Sequence, residues 1–125
     1  MIKKLLSIVV LSLLFGGSAY AVTNKDFLIY KNSENNSKKK EDYRVLIYSY
    51  LLGAAHSYLS TNAVLQLKNE NKLFCQPGDL SLNLDNYTNF VQEQINKEKK
   101  DGSYNDEAPL SATLLKRLEK VFPCN

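Results

Sequence analysis

The chain has 125 residues, 23% of them charged and 44% hydrophobic, and its formal net charge is +3. This length suits one domain and excludes two. So small a net charge does not provide the strongly basic surface that nucleic-acid binding needs, which excludes nucleic-acid binding as the main function.

Residues 1–21 have the three parts of a secretory signal peptide. Lys3 and Lys4 form a basic start, residues 5–15 are an uncharged apolar run, and residues 19–21 are a small-x-small cleavage site. The alternative is a membrane anchor, but 11 apolar residues fall short of the roughly 20 that span a bilayer. We therefore predict export and cleavage, which leaves a soluble single domain over 22–125 with no membrane contact and a net charge of +1.

The chain contains two cysteines, Cys75 and Cys124, and in an exported protein they predict a disulfide. Closing that long loop stabilises the fold by roughly 4 kcal/mol in the chain-entropy view. A metal site and a catalytic thiol are the alternatives. Zinc needs clustered Cys and His ligands, whereas the only histidine is His56, so the disulfide is the better interpretation.

The first half of this domain predicts two helices. Thr23 or Asn24 caps a short one, and residues 31–40 are polar and predict a mobile loop. A long helix follows from about Glu41 to Leu67, and Asn69 or Asn71 can end it in the left-handed conformation. Its apolar residues recur every three or four positions and predict one core face: Tyr43, Ile47, Tyr50, Leu51, Ala54, Tyr58 and Leu59. The small residues around Gly53 predict a close helix approach.

The second half predicts two shorter helices. Asn83 caps the first, and Gly102 ends it. The second begins near residues 106–107, tolerates Pro109 in its first turn, and ends at Pro123. Its core stripe is Leu110, Leu114, Leu118 and Phe122. The fold class we predict is an all-α bundle with one long helix and two to three shorter ones, stapled by Cys75–Cys124.

Catalytic chemistry has little support in this sequence. His56 lies in mid-helix with no partner in the sequence for acid–base catalysis, and a lone helical histidine is more often a packing or surface residue. No spacing for a metal or a phosphate is present. We therefore predict a protein without enzymatic activity, cofactor or metal. Its many tyrosines suit a helical core and also protein interfaces.

Three short segments resemble the Rap1a/Tai family over residues 43–124. They are Tyr50-Leu51-Leu52-Gly53-Ala54, then Leu73-Phe74-Cys75-Gln76-Pro77, then Ser111-Ala112-Thr113-Leu114-Leu115 leading to Phe122-Pro123-Cys124. The matching scaffold residues are Tyr50, Gly53, Phe74, Pro77, Phe122 and Pro123. The resemblance implies a periplasmic immunity protein of a type VI secretion system, usually a homodimer. Its partner would be a secreted effector, a peptidoglycan amidase, whose active-site cleft it plugs.

An inhibitor of this kind needs a preorganised protrusion, because ordering a floppy loop costs affinity. One candidate is the loop formed by Lys68, Asn69, Glu70, Asn71 and Lys72. The other is the polar connection at residues 101–107, and for each the alternative is a plain solvated connection. An HdeA-like periplasmic acid-stress chaperone, or another non-enzymatic envelope protein, is the alternative function.

Overall fold

A computed structural model describes residues 21–33 and 37–125. The signal peptide predicted for residues 1–21 lies almost entirely outside these ranges. The described residues form four helices: α1 (Asn24–Asn32), α2 (Ser37–Leu67), α3 (Leu84–Asp101) and α4 (Leu110–Val121). They contain no strand beyond one isolated bridge between Thr23 and Pro109. The predicted all-α bundle with one long helix is therefore confirmed.

The N-terminal cap of α1 is the predicted Thr23. Its hydroxyl accepts from the Asp26 amide at 3.3 Å, and the Asp26 carboxylate accepts from the Thr23 amide at 2.9 Å. This reciprocal pair satisfies two of the free donors at the helix start. The helix then buries Phe27 and Tyr30 against the rest of the bundle.

The long helix begins earlier than the sequence predicted, at Ser37 rather than near Glu41. Prediction of a mobile loop over residues 31–40 is wrong at both ends, because α1 continues to Asn32 and α2 covers 37–40. Residues 34–36 lie outside the described ranges. Lysine and glutamate are good helix formers, and Arg44 holds Glu41 with two hydrogen bonds of 2.9 and 2.6 Å across the first turns.

The core face of α2 is narrower than predicted. Ile47, Leu51 and Ala55 are buried along one ridge with four-residue spacing, whereas Leu59 is 38% exposed. Twelve residues at 100° each place Leu59 roughly 120° around the helix from Ile47. Each step of four residues turns about 40° beyond a full turn of the helix, so three such steps carry Leu59 away from the face that buries Ile47.

The cap predictions for α3 are confirmed. Asn83 and Asn86 exchange side-chain and backbone hydrogen bonds of 2.8 and 2.9 Å at its start. Gly102 follows its end with φ of 82°, a left-handed conformation that glycine adopts without strain. Between these two caps, α3 buries Tyr87, Val91 and Ile95.

The last helix, α4, begins at Leu110, so the predicted start at residues 106–107 is wrong, and Pro109 precedes the helix. The carbonyls of Asp106 and Ala108 instead accept from the first amides of α1, Lys25 and Asn24, both at 3.0 Å. Because these carbonyls accept from amides of α1, they are not available to accept the first backbone hydrogen bonds of a helix that would begin at residues 106–108. The predicted core stripe is buried at Leu110, Leu114 and Leu118, and Phe122 is half-buried.

The four helices share one core with the segment between α2 and α3. Phe27 from α1, Leu51 from α2, Ile95 from α3, Leu114 from α4 and Phe74 from the connecting segment are each no more than 1% exposed. Phe74 therefore anchors an irregular segment in the centre of the bundle, beside the two cysteines.

Candidate protein-binding surface

The predicted disulfide between Cys75 and Cys124 is present. The sulfurs are 1.97 Å apart and the Cα atoms 5.0 Å apart, and the Cys75 amide donates to the Phe122 carbonyl at 2.8 Å. The ring of Phe122 stands edge-on to Phe90 of α3 with centroids 6.3 Å apart. The end of α4 is thus held to the segment after α2 by a covalent bond, a backbone hydrogen bond and an aromatic contact.

Asn62 of α2 fixes the same segment from the other side. Its side-chain amide donates to the Phe74 carbonyl at 3.1 Å, and its side-chain oxygen accepts from the Leu73 amide at 2.8 Å. Asn62 is 8% exposed; its bond to the Phe74 carbonyl is buried and its bond to the Leu73 amide is partly buried. This role of Asn62 was not predicted from the sequence.

Tyr50 of the first resembling segment, and Tyr58 farther along α2, both bond through their hydroxyls to Ser111 of the third segment. Tyr50 donates to the Ser111 hydroxyl at 3.0 Å, and Tyr58 donates to the Ser111 carbonyl at 2.7 Å. Burial raises the pKa of Tyr58, so its hydroxyl stays protonated, and able to donate, to a higher pH than that of a free tyrosine. The helix that approaches this part of α2 is α4.

Gly53 makes no close contact with another helix in the part of the chain that the structure describes. It is exposed, and a Cβ atom built on it meets nothing within 4 Å. It lines an open groove of about 510 Å³ beside Tyr50, Ser57 and Ser111. The predicted close approach is therefore not made at Gly53 among the described residues, although Ala55, two positions later, is 1% exposed and lies in the core.

The candidate binding loop at residues 68–72 protrudes from the end of α2. Lys68, Asn69, Glu70 and Asn71 are exposed. Asn69 has φ of 55°, the predicted left-handed conformation, and it lets the Glu70 amide turn back to the Leu65 carbonyl at 2.8 Å. On its far side the loop is held by the bond from the Leu73 amide to Asn62. Both ends are fixed, and the side chains between them reach solvent.

The polar connection at residues 101–107 has a different role. Asp101 accepts from the Ser103 amide and hydroxyl at 3.0 and 2.5 Å, and these bonds lower the pKa of its carboxyl. Burial raises the pKa of Tyr104, and its hydrogen bond of 2.7 Å to the Asp106 carboxylate adds to that effect. Backbone carbonyls of this connection also cap α1, so many of its polar groups already have partners within the chain, although all of its residues except Tyr104 are exposed.

A second rigid feature, the turn after the disulfide, borders α2. The Leu80 amide donates to the Pro77 carbonyl at 3.1 Å, and the Gln76 side chain donates to the Leu80 carbonyl at 2.8 Å. This turn and α2 enclose a groove of about 370 Å³ whose lining includes His56 and Asp79. Pro77 belongs to the predicted scaffold, but the sequence alone did not reveal the groove.

The groove between α2 and this turn contains the chain's one histidine. His56 is exposed and shares its groove with Asp79 and apolar side chains. Within residues 21–33 and 37–125 no three His, Cys, Asp or Glu side chains lie close enough together to hold a metal ion. Over the same residues, no helix combines the length and apolar character that a membrane crossing needs.

Comparisons with known proteins do not place this chain in a family. No family model matches it, and neither does any curated protein or solved structure. The resemblance carried by the three motif segments therefore stays a prediction.

Proposed function

We propose that this protein is a periplasmic immunity protein. It binds a type VI secretion effector, expected to be a peptidoglycan amidase, and inhibits it by blocking the active-site cleft. The protein has no catalytic role and needs no cofactor. The single observation that carries this proposal is the loop at residues 68–72, whose two ends are fixed while residues 68–71 between them are exposed.

The rigidity of the loop supports inhibition by insertion. Ordering a flexible segment at an interface costs roughly 0.5–1.5 kcal/mol for each side chain that is immobilised. Here the Glu70–Leu65 bond, the Leu73–Asn62 bond and the Cys75–Cys124 disulfide set the backbone before any partner arrives. The alternating charges of Lys68, Glu70 and Lys72 would give the protrusion specific polar contacts for a cleft.

The disulfide also supports the proposed compartment. Disulfides persist in oxidising environments such as the periplasm and are rare in the reducing cytosol. A chain that relies on Cys75–Cys124 to hold α4 in place is suited to the compartment where a peptidoglycan-cleaving effector would act. This agrees with the signal peptide that the sequence predicts.

The test is capture of the partner followed by inhibition. The mature chain, produced in the periplasm, should retain an amidase effector and should slow its release of peptide from purified peptidoglycan. A loop variant carrying Asn69→Gly, Glu70→Ala and Asn71→Ala should lose at least tenfold in affinity, because glycine keeps the left-handed backbone while the contacts disappear.

The matched control is Glu119→Ala with Lys120→Ala, two exposed residues of α4. It should bind as tightly as the unchanged protein. Equal affinity of the loop variant and this control would remove the loop from the proposal. Failure to retain any effector with hydrolase activity would overturn the proposal itself.

One observation favours a second candidate, a periplasmic acid-stress chaperone. Six large apolar side chains are at least 38% exposed along α2: Val45, Leu46, Leu52, Leu59, Val64 and Leu67. A chaperone would use such a surface to hold unfolded clients at low pH. Stronger binding of an apolar dye at pH 2.5 than at pH 7, together with protection of an aggregating client, would favour the chaperone over the immunity protein.

A further inference from the structure

The chain enters its fold one residue after the predicted cleavage site. Ala21, the last residue of the predicted signal peptide, is exposed, whereas Val22 is 5% exposed and belongs to the core. Asn24, two residues further on, is 0% exposed. The first residues of a domain are usually poorly ordered unless other elements hold them. Here they are held, so the end of the predicted signal peptide coincides with the start of the packed fold.

Backbone hydrogen bonds hold residues 22–24, which we call the docked segment, against the residues that lead into α4. The Val22 carbonyl accepts from the Leu110 amide at 2.8 Å, and the Asn24 amide donates to the Ala108 carbonyl at 3.0 Å. The docked segment therefore lies along the start of α4 like a short added strand. Its backbone groups already have partners within the fold.

Side chains strengthen the same attachment. The Asn24 side chain accepts from the Thr113 hydroxyl at 2.7 Å and donates to the Asn105 carbonyl at 3.0 Å. Thr23, between Val22 and Asn24, forms the isolated antiparallel bridge with Pro109. Releasing the docked segment would thus break several hydrogen bonds and expose two buried residues together.

A peptidase can cut a bond only when the chain on both sides of that bond is accessible. Proteolysis of a folded protein proceeds through states in which the cut segment has opened, and its rate follows the population of those states. Because Val22 is packed and bonded, the bond between Ala21 and Val22 is protected once the segment has docked. We propose that docking closes the processing site. The signal peptide must be removed before residues 22–24 dock, and a precursor that folds first keeps it.

The positions of the partners set the order of events. Outside α1, the groups that hold the docked segment belong to residues 105–113, close to the C-terminus of the chain. A chain exported from its N-terminus presents the Ala21–Val22 bond before those residues arrive. Hydrolysis comes first and docking follows, and only then does the Leu110 amide at the start of α4 find its acceptor. This order rests on the predicted signal peptide and is independent of whether the protein inhibits a toxin.

The hydrolysis leaves a new charge on each product. Water adds across the peptide bond, so the signal peptide departs with a carboxylate on Ala21, and Val22 keeps an ammonium group. An open cavity of about 410 Å³ at this point is lined by Ala21 and Val22 and also by Asp26 and Asp42. Their carboxylates offset the unfavourable interaction between the ammonium and the positive N-terminal end of α1. The cut chain can therefore dock with its charged terminus in place.

Cleavage rates with a purified signal peptidase test this order. The full precursor, folded and oxidised in detergent, should be cut roughly 100-fold more slowly than an isolated peptide of residues 1–30. That peptide has the same bond but lacks residues 105–113. A folded precursor with Gly-Ser-Gly-Ser inserted between Ala21 and Val22 should be cut as fast as the peptide, because its bond is separated from the docked segment.

Three outcomes of this experiment would overturn the inference. Equal rates for the folded precursor and the peptide would show that docking gives no protection. Slow cutting of the precursor with the insertion would show that something other than docking protects the bond. Failure to cut the peptide would show that the Ala21–Val22 bond is not a processing site.

Two single variants of the folded precursor separate docking from other buried hydrogen bonds. Asn24→Ala removes the bonds to Thr113 and Asn105, and it should raise the cleavage rate roughly tenfold by favouring the open state. Thr88→Val is the matched control, because Thr88 is also buried but bonds to the Leu84 carbonyl within α3. It should be cut at the rate of the unchanged precursor. No increase with Asn24→Ala, or an equal increase with both variants, would contradict the role of the docked segment.

Discussion

The side-chain amide of Asn62 donates to the backbone carbonyl of Phe74 at 3.1 Å, which joins the long helix to an irregular segment twelve positions later. The same side chain accepts from the Leu73 amide at 2.8 Å. The side chain of one asparagine thus supplies two of the backbone hydrogen bonds that a helix or a strand would otherwise give this segment. Because Phe74 is a core residue and Cys75 follows it, Asn62 sets the position from which the disulfide is made.

We predict that Asn62→Ala destabilises the fold by about 2–4 kcal/mol. It leaves the Leu73 amide and the Phe74 carbonyl without partners, and each unsatisfied buried group costs roughly 1–3 kcal/mol. Urea unfolding at pH 7 measures the change. Thr61→Ala is the control, because exposed Thr61 bonds only to the Ser57 carbonyl of its own helix. Equal stability of the two variants would contradict the role given to Asn62.

We predict that the double variant Cys75→Ser, Cys124→Ser loses about 3–4 kcal/mol of unfolding free energy. The sequence separation of 49 residues closes a long loop, and the chain-entropy relation gives roughly 4 kcal/mol for a loop of that length. Urea unfolding with and without a reductant measures this loss. Reductant should destabilise the unchanged protein and leave the double variant unaffected. A double variant as stable as the unchanged protein would show that the disulfide contributes little to the free energy of unfolding.

We predict energetic coupling between Asn24 of α1 and Thr113 of α4. Asn24 is 0% exposed, accepts from the Thr113 hydroxyl at 2.7 Å and donates to the Asn105 carbonyl at 3.0 Å. A double-mutant cycle with Asn24→Ala and Thr113→Val should give a coupling of roughly 0.5–3 kcal/mol. The same cycle with Thr88→Val should give no coupling, because Thr88 bonds to Leu84 within α3. Additive changes in the first cycle would be inconsistent with the bond.

We predict that stability falls above pH 10. Burial raises the pKa of Tyr30 to about 12, and the neighbouring Tyr48 adds to the shift. Because the folded state holds this proton more tightly than the unfolded state, the resulting stability is complete below pH 10. It is lost as pH rises to about 12. Unfolding free energies measured from pH 8 to 12 should fall by up to roughly 2–3 kcal/mol, and Tyr30→Phe should fall less. Identical curves would contradict the assignment.

The features that were predictable from sequence are those with local causes. Thr23 and Asn83 each satisfy the amide three positions away, and Gly102 and Asn69 adopt left-handed conformations that their own residue types allow. A chain with two cysteines has one possible intramolecular pairing, so Cys75–Cys124 needed no tertiary information. The loop at residues 68–72 was predictable for the same reason, since it follows the end of an uninterrupted helical pattern.

The features that were missed depend on the path of distant segments. Asn62 looks like any polar helical residue until Phe74 folds back against it, and no pattern in α2 marks that return. The start of α4 moved to Leu110 because residues 106 and 108 cap α1, more than 80 positions earlier. Leu59 fits a helical period, yet which face of α2 becomes buried depends on where α3 and α4 pack.

The Cys75–Cys124 bond makes the C-terminal half of the molecule a covalent ring that contains α3 and α4. A protease that cuts the backbone once inside this ring opens it without releasing a fragment. Both cut ends stay attached to the bundle, because Asn62 and the core contacts of Phe74 still fix the segment at residues 73–74 against α2. The molecule therefore tolerates a single backbone cut in this half better than a cut in α1 or α2.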